Sequence, residues 1–361
     1  PITSHNSSSW TANWVDFDGD NDDDLFVSSY DIGTDNLLFR NDGGTFVEIA
    51  VENITNVAKA VVTTSWADFD NDGDIDCFIP INNGVSGILS INDGAGSFSL
   101  LEDDPIVDSG GYYHGAVFAD YNNDGYLDMF TSDFMPTSFN RLFKGSSDGS
   151  FTNVTDQKPT LDLGRSIGAT WADYDNDGDP DLFVPNGNGE NNCFYVNNGD
   201  GSFFKDTASI IANDGANCVA SCWGDYDNDG YLDLFVSNAS NGLNFLYHND
   251  GDRSFSRITS GDIGTDVGNS HGCSWADLDN DGHLDLFVSN DQGQTKQLYF
   301  NDGTGNLIRN NNEIIVSAEH NTYSHHWSDY DQDGDLDLYV STHSNEKNLF
   351  YANNGNTNNW I

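Results

Sequence analysis

Basic side chains are the scarcest chemical class in this chain. Twelve Lys and Arg stand against 59 Asp and Glu, giving a formal net charge of −47 and a pI near 4.1. So few cations cannot neutralise a run of phosphates, which excludes nucleic acid as a partner and argues against anionic membrane surfaces. No stretch of about 18 apolar residues occurs, so no transmembrane helix and no membrane insertion is expected. The five cysteines (Cys77, Cys193, Cys218, Cys222, Cys273) follow no metal-type spacing. Up to two disulfides with at least one thiol left over, or buried free thiols, both fit them. The chain opens at Pro1 with neither Met nor a signal peptide, the look of a mature or excised fragment. Acidity of this degree can signal disorder, but 13% aromatic residues and regular apolar runs oppose that.

What the chain has in abundance is one stretch, seven times over. Trp223–Val236 shows it best: Trp-Gly-Asp-Tyr-Asp-Asn-Asp-Gly-Tyr-Leu-Asp-Leu-Phe-Val. Its first Asp recurs as Asp16, Asp68, Asp120, Asp173, Asp225, Asp277 and Asp329, at separations of 52 or 53 residues. An aromatic stands two residues before each: Trp14, Trp66, Phe118, Trp171, Trp223, Trp275 and Trp327. One aromatic at a fixed place in every unit predicts a repeated packing contact between neighbours. Units of this length account for residues 1–361 as a single repeat domain with no linker and no second domain.

Each unit reads as β throughout. A first strand such as Ala169–Asp173 runs into the Asp loop, and a second leaves it at Leu25–Ser28, Cys77–Ile79, Met129–Thr131, Leu182–Val184, Leu234–Ser237, Leu286–Ser289 and Leu338–Ser341. A variable polar loop follows, then a third strand such as Asn244–His248, a tight turn and a fourth strand starting near Phe255. The turns are Asn41-Asp42-Gly43, Asn92-Asp93-Gly94, Asn197-Asn198-Gly199, Asn249-Asp250-Gly251, Asn301-Asp302-Gly303 and Asn353-Asn354-Gly355, whose residues favour positive φ. Unit three departs, with Gly145-Ser146-Ser147-Asp148-Gly149 in that place. Four short antiparallel strands in about 50 residues, repeated around a closed ring, predict an all-β, seven-bladed β-propeller with one Asp-rich loop per blade. A helical calcium-binding hand would need flanking helices and a Glu at position 12, which are missing. A calcium-binding β-helix would show a nine-residue period.

In each loop carboxylates stand at positions 1, 3, 5 and 9, with Gly at 6 to allow the sharp turn. The candidate metal ligands are Asp16, Asp18, Asp20 and Asp24; Asp68, Asp70, Asp72 and Asp76; Asp120, Asn122, Asp124 and Asp128; and Asp173, Asp175, Asp177 and Asp181. Asp225, Asp227, Asp229 and Asp233, then Asp277, Asp279, Asp281 and Asp285, and finally Asp329, Asp331, Asp333 and Asp337 complete the set. Hard oxygen donors without His or Cys select calcium over zinc or copper, and a flexible many-oxygen cage suits calcium better than magnesium. A backbone carbonyl at position 7 would add a ligand. Four carboxylates in nine residues repel one another unless a cation sits among them. Seven Ca²⁺ ions would bring the formal charge from −47 to −33. The ions are expected to be structural, because a feature present in every blade is framework. Two loops depart from the pattern. Asn122 replaces an Asp, and Asn21 replaces the Gly at position 6, so loops one and three are expected to bind most weakly.

Recognition is expected in the variable segments after the second strands: Ser29–Asp35, Asn82–Gly87, Asp133–Phe139, Asn186–Asn191, Asn238–Gly242, Asn290–Thr295 and Thr342–Lys347. His114 and His271 lie four residues before the aromatic of their units, and His325 and His326 just before Trp327. First strands line the channel of a propeller, so these four are expected as separate polar residues facing it; a metal or catalytic cluster is the competing reading. Sequons at Asn6, Asn53, Asn153 and Asn238 are of the number that chance supplies in so Asn-rich a chain.

The motif Trp-x-Asp-x-Asp-x-Asp-Gly-x-x-Asp-Leu-Phe-Val resembles the FG-GAP/VCBS repeat family over essentially the whole chain. That family's members are calcium-bearing propellers, among them the integrin α-subunit head and a group of fungal and bacterial propeller lectins. The closing Asn358-Asn359-Trp360-Ile361 is similar to the junction before an ASPIC/UnbV-type segment. The resemblance implies an extracellular or cell-surface calcium-stabilised binding or adhesion module for a glycan or a surface protein. The alternatives are a lyase-type enzyme degrading polysaccharide, and a passive spacer or filament subunit. No singular constellation of His, Tyr and Arg stands out, and the shortage of cations weighs against an anionic substrate.

Overall fold

The computed structural model describes residues 2–82, 84, 86–108, 110–353 and 360. Among the described residues its blades are six four-stranded antiparallel sheets and a seventh of three strands, with two two-stranded ribbons, Asn6–Ser7 with Glu346–Lys347 and Gly242–Leu243 with Val267–Gly268, beside them. In blade 4 the strands are Thr170–Ala172, Asp181–Val184, Cys193–Asn197 and Phe203–Lys205, paired in chain order. Blade 7 pairs Thr322–Ser328, Asp337–Thr342 and Leu349–Tyr351, and Trp360 bridges Asn353 at the place of a fourth strand. The turn foreseen at Asn354-Gly355, and Asn358, Asn359 and Ile361 of the closing stretch, lie outside the described residues.

The second strands explain how the blades stack. Their Asp-Leu-Phe-Val sequence is apolar on both faces because both faces are covered. In blade 5, Leu234 and Val236 pack with Phe183 and Phe194 of blade 4, while Phe235 packs with Leu286 and Val288 of blade 6. Among the described residues seven core clusters arise this way, one at each interface. The last joins Leu25, Val27 and Phe39 of blade 1 to Tyr339 of blade 7, so the ring is closed. Closure is reinforced by pairing of Asn6–Ser7 with Glu346–Lys347 and by the Tyr339 hydroxyl donating to the Ile2 carbonyl (3.2 Å).

The aromatic of each unit sits at these seams, as its fixed spacing predicts. Trp14 Nε1 donates to His326 O (3.4 Å), Trp223 to Thr170 Oγ1 (3.1 Å), Trp275 to Cys222 O (3.3 Å) and Trp327 to Ser274 Oγ (2.9 Å). Each bond reaches the preceding blade, including blade 7 from blade 1. The five cysteines are free thiols, and Cys222 lies beside Cys273 across the seam of blades 5 and 6.

Topology separates two faces. The inner strand of every blade ends at its Asp loop, and the second strand returns to the other side. All seven Asp loops therefore share one face. The variable loops and the starts of the inner strands share the opposite one.

Candidate metal centres

Backbone conformation builds each Asp loop before any ion enters. Two residues per loop are left-handed, at positions 4 and 6. In blade 2 they are Asn71 (φ 61°) and Gly73 (φ 99°). Position 4 is Asn in five loops because Asn tolerates this region better than other residues with a side chain. Loop one exchanges the pair, with Gly19 (φ 75°) and Asn21 (φ 69°). The exchange preserves the backbone, so the departure at Asn21 removes no ligand.

The carboxylates then order the loop. Asp68 Oδ1 accepts from the Asp72 N–H (3.1 Å) and Oδ2 from the Gly73 N–H (3.0 Å), and Asp72 Oδ1 accepts from the Asp74 N–H (3.0 Å). The ninth residue, Asp76, is fully buried. Its Oδ1 accepts from the Asn92 N–H (2.8 Å) and its Oδ2 from the Phe69 N–H (3.2 Å). Asp24, Asp128, Asp181, Asp233 and Asp285 bond in the same way. The ninth Asp thus ties the loop to the third strand as well as facing the site.

One carboxylate oxygen from each of Asp16, Asp18 and Asp24 lies within 4.8 Å of the others, and the same holds for Asp68, Asp70 and Asp76 and for Asp173, Asp175 and Asp181. Burial pushes Asp24, Asp76, Asp128, Asp233, Asp285 and Asp337 up to about 7, and Asp181 to about 8. At position 3, burial first and the neighbouring loop carboxylates second raise Asp18, Asp227 and Asp279. Oδ1 of Asp18, Asp175, Asp227 and Asp279 is buried without a hydrogen-bond partner. Buried carboxylate oxygens without donors are what a hard divalent cation satisfies, so the residues present fit calcium.

The loops are not equivalent. In blade 3, Asn122 Nδ2 donates to Asp128 Oδ2 (2.6 Å) and Lys144 Nζ meets Asp124 Oδ2 (2.8 Å). That loop carries one carboxylate fewer and its own cation. In blade 4, Arg253 from the next blade reaches Asp175 (2.9 Å) and Asp177 (3.3 Å). In blade 5, His248 lies 3.3 Å from Asp227 and 3.2 Å from Asp233.

In sequence the Asn of the Asn-Asp-Gly turn reads as turn chemistry alone. Asn197 Nδ2 in fact donates to Pro180 O (3.1 Å) in its own blade and to Tyr121 O (2.7 Å) in the Asp loop of the preceding one. Asn41, Asn92, Asn249 and Asn301 make the same inter-blade bond. Its invariable position sixteen or seventeen residues after the ninth Asp was the available signal. Blade 3 has Gly145 there, and a Cβ on it would stand 2.2 Å from Leu127 O.

The four histidines divide. His114 and His271 line a cavity on the axis of the ring. His325 does not face the channel: it is buried between blades 6 and 7, bonded to Ser274 Oγ (2.6 Å) and Ser289 Oγ (2.7 Å). His326 lies 3.4 Å from Thr11 Oγ1 at the seam with blade 1. The sequon at Asn238 is buried, with its amide donating to Leu243 O (3.0 Å).

The FG-GAP-like repeat family matches residues 16–79, 136–184, 173–236, 227–288 and 277–340. That is more than half of the chain, and the protein belongs to this family. Cartilage acidic protein 1 of Xenopus tropicalis is 26% identical over 213 residues, which are 56% of this chain and 32% of that protein. The chain therefore spans about a third of the length of that relative. Among solved structures, a lectin of Agrocybe aegerita that recognises non-reducing terminal N-acetylglucosamine superposes with a TM-score of 0.56 at 18% identity, over 95% of this chain and 82% of the lectin. An ancestral GH74 enzyme gives 0.62 at 11% identity, over 100% of this chain and 47% of the enzyme. Virginiamycin B lyase of Staphylococcus aureus gives 0.59 at 10% identity, over 95% and 94%. At these identities the likenesses establish the fold alone.

Proposed function

We propose that this protein is an extracellular or cell-surface binding module whose scaffold is held by calcium in the Asp loops. Its recognition surface is the opposite face, and the ligand is a glycan or a surface protein. The partnerless buried oxygens of Asp18, Asp175, Asp227 and Asp279 carry the calcium assignment. Positions 1, 3, 5 and 9 of each loop hold the ion, with Asn122 in place of the third Asp in loop three. The bound ion supplies positive charge among the carboxylates. The chain's own part is to hold the first and ninth carboxylates rigidly through backbone N–H groups, so that little ordering remains for the ion to impose.

Recognition belongs on the other face because the loops there differ from blade to blade while the Asp loops repeat. Likeness to a lectin and to a cartilage acidic protein supports an extracellular binding role. No helix among the described residues is long and apolar enough to cross a membrane. The experiment is a glycan array probed with and without calcium, together with an assay for turnover of acidic polysaccharide. Calcium-dependent retention of one sugar family is the expected result. Turnover would replace this reading with a lyase, and silence on every glycan and surface protein tested would leave a passive spacer.

A further inference from the structure

Beyond the variable loops, the same face carries a second, distinct feature. All seven inner strands contribute to an axial cavity of about 430 Å³, within the range of small-molecule sites. We propose that this cavity binds one small aromatic or apolar molecule that carries no negative charge, oriented by a polar end toward His271.

The cavity is shaped by residues at one repeat position, four before the unit aromatic. In blades 3, 5, 6 and 7 the inner strand slips register there, between Tyr113 and Gly115, Cys218 and Ser221, Ser270 and Gly272, and Thr322 and Ser324. A bulge re-aims the extra side chain, and the residues so released, His114, His271 and Tyr323, all line the cavity. Trp10 holds this position in blade 1; blades 2, 4 and 5 put Val62, Ile167 and Val219 there. One further residue along, Gly115, Gly168 and Gly272 keep the walls bare. A Cβ on Gly272 would stand 2.9 Å from Tyr323 O.

The two sides of the cavity differ. On one, rings are locked together: Trp10 stacks on Tyr30 (4.4 Å) and on Tyr323 (4.4 Å), and Tyr323 packs on His343 (4.5 Å) and edge-on to His271 (4.5 Å). His343 is held by Asp291 at 2.7 Å, and Asp291 stands 3.8 Å behind His271. The His271 imidazole makes no hydrogen bond among the described residues, so it is open to a ligand. The other side is mainly aliphatic: beside Val62, Ile167 and Val219 it has Thr63 and Asn217, and the Asn217 amide is already engaged, accepting from the Asn188 N–H (2.7 Å) and donating to Ser240 Oγ (3.1 Å).

Chemistry then selects the occupant. None of the twelve Lys and Arg lines the cavity. Burial keeps His114 and His271 neutral, their values pushed down to about 4. The charge that stands against His271 is the Asp291 carboxylate, 3.8 Å away. An anion would enter without a counter-charge and against the field of a strongly acidic protein, which burial does not forgive. A polyhydroxylated sugar would leave its hydroxyls unpaired against Val62, Ile167 and Val219. An apolar or aromatic body with one polar group loses nothing there.

The test uses two dyes with one aromatic frame. N-phenyl-1-naphthylamine is uncharged, and 8-anilinonaphthalene-1-sulfonate adds an anion. With the intact protein in calcium, the neutral dye should bind saturably at one per chain, and the sulfonate at least tenfold more weakly. Ile167→Phe and, independently, Val219→Phe fill the cavity and should weaken the neutral dye at least tenfold with circular dichroism and melting unchanged. Phe204→Asn and Phe139→Asn, on the exposed apolar surface outside it (59% and 49% exposed), should leave binding as it is. The proposal is overturned by equal or tighter sulfonate binding, by non-saturable uptake, by folded cavity-filling variants that bind as before, or by loss of binding in the outer-surface variants. The dye pair decides by itself if neither filled variant folds.

Discussion

Removing calcium should cost this protein much of its stability. Without a cation, Oδ1 of each of Asp18, Asp175, Asp227 and Asp279 is buried with no hydrogen-bond partner, at about 1–3 kcal/mol each for an unsatisfied buried group, more when charged. Binding works in the same sense: a site whose Kd is a hundredfold below the calcium concentration stabilises by about 2.7 kcal/mol. Three such sites supply about 8 kcal/mol, a large share of the 5–15 kcal/mol that separates most folded domains from unfolding. For a chain of this size a shift of roughly 2 °C per kcal/mol translates this to a fall of about 15 °C in Tm. Calorimetry in millimolar calcium and then in excess EGTA measures it, with magnesium added back as the control for a hard but smaller ion. A shift under about 3 °C, or full rescue by magnesium, would refute the assignment of the loops as calcium sites that hold the scaffold.

Three further outcomes follow from particular contacts. Asn197→Ala strips donors from two carbonyls, Tyr121 O and Pro180 O, and should cost about 2–4 kcal/mol in urea unfolding; the reverse change in blade 3, Gly145→Asn, should also destabilise, because its Cβ meets Leu127 O. Crystals grown at limiting calcium should show the lowest occupancy in loop three, where Asn122 and Lys144 already serve the carboxylates, while loop one should fill like the others. In saturating calcium the protein should be acid-labile through its histidines: burial holds His114, His271 and His326 at about 4 and His325 at about 3. Their folded values lie below the unfolded 6.5, so this stability is present above pH 6.5 and is lost as pH falls from 6.5 toward 4, by about 3 kcal/mol for each imidazole held at about 4, and toward 3 for His325, by about 5 kcal/mol. Melting temperatures at pH 7.5, 5.5 and 4.5 check it, and a flat profile would contradict the burial of these rings.

Strand order and blade number were legible in the sequence because each blade is a local unit: its four strands pair in chain order, and its period is written directly in the spacing of Asp16, Asp68 and their counterparts. The apolar Leu-Phe-Val run was legible as a strand for the same reason. Its division of labour was not, because Leu234 packs on the preceding blade and Phe235 on the following one, against partners about 50 residues away in either direction. The Asn after the third strand looked like turn chemistry since its donor role is exercised on Tyr121 O, a carbonyl 76 residues distant. His325 and His114 are alike in sequence, both near the aromatic of an inner strand, yet one is sealed between two blades and the other opens on the axis. His114 sits at the bulged position four before its aromatic, whereas His325, two before Trp327, lies past the bulge of its strand and pairs with Val340.

The amino-acid sequence by itself determined the seven-fold β repeat and the carboxylate pattern of the loops, because both are set by near neighbours in the chain: alternating side chains, left-handed residues at turns, and acidic groups crowded within nine residues. Tertiary structure alone decided which carboxylate oxygens are left without donors, which loop carries its own counter-ion, and that Trp10, His114, His271 and Tyr323 converge on a single cavity. Those properties arise where strands from different blades meet, and closing the ring is what sets them.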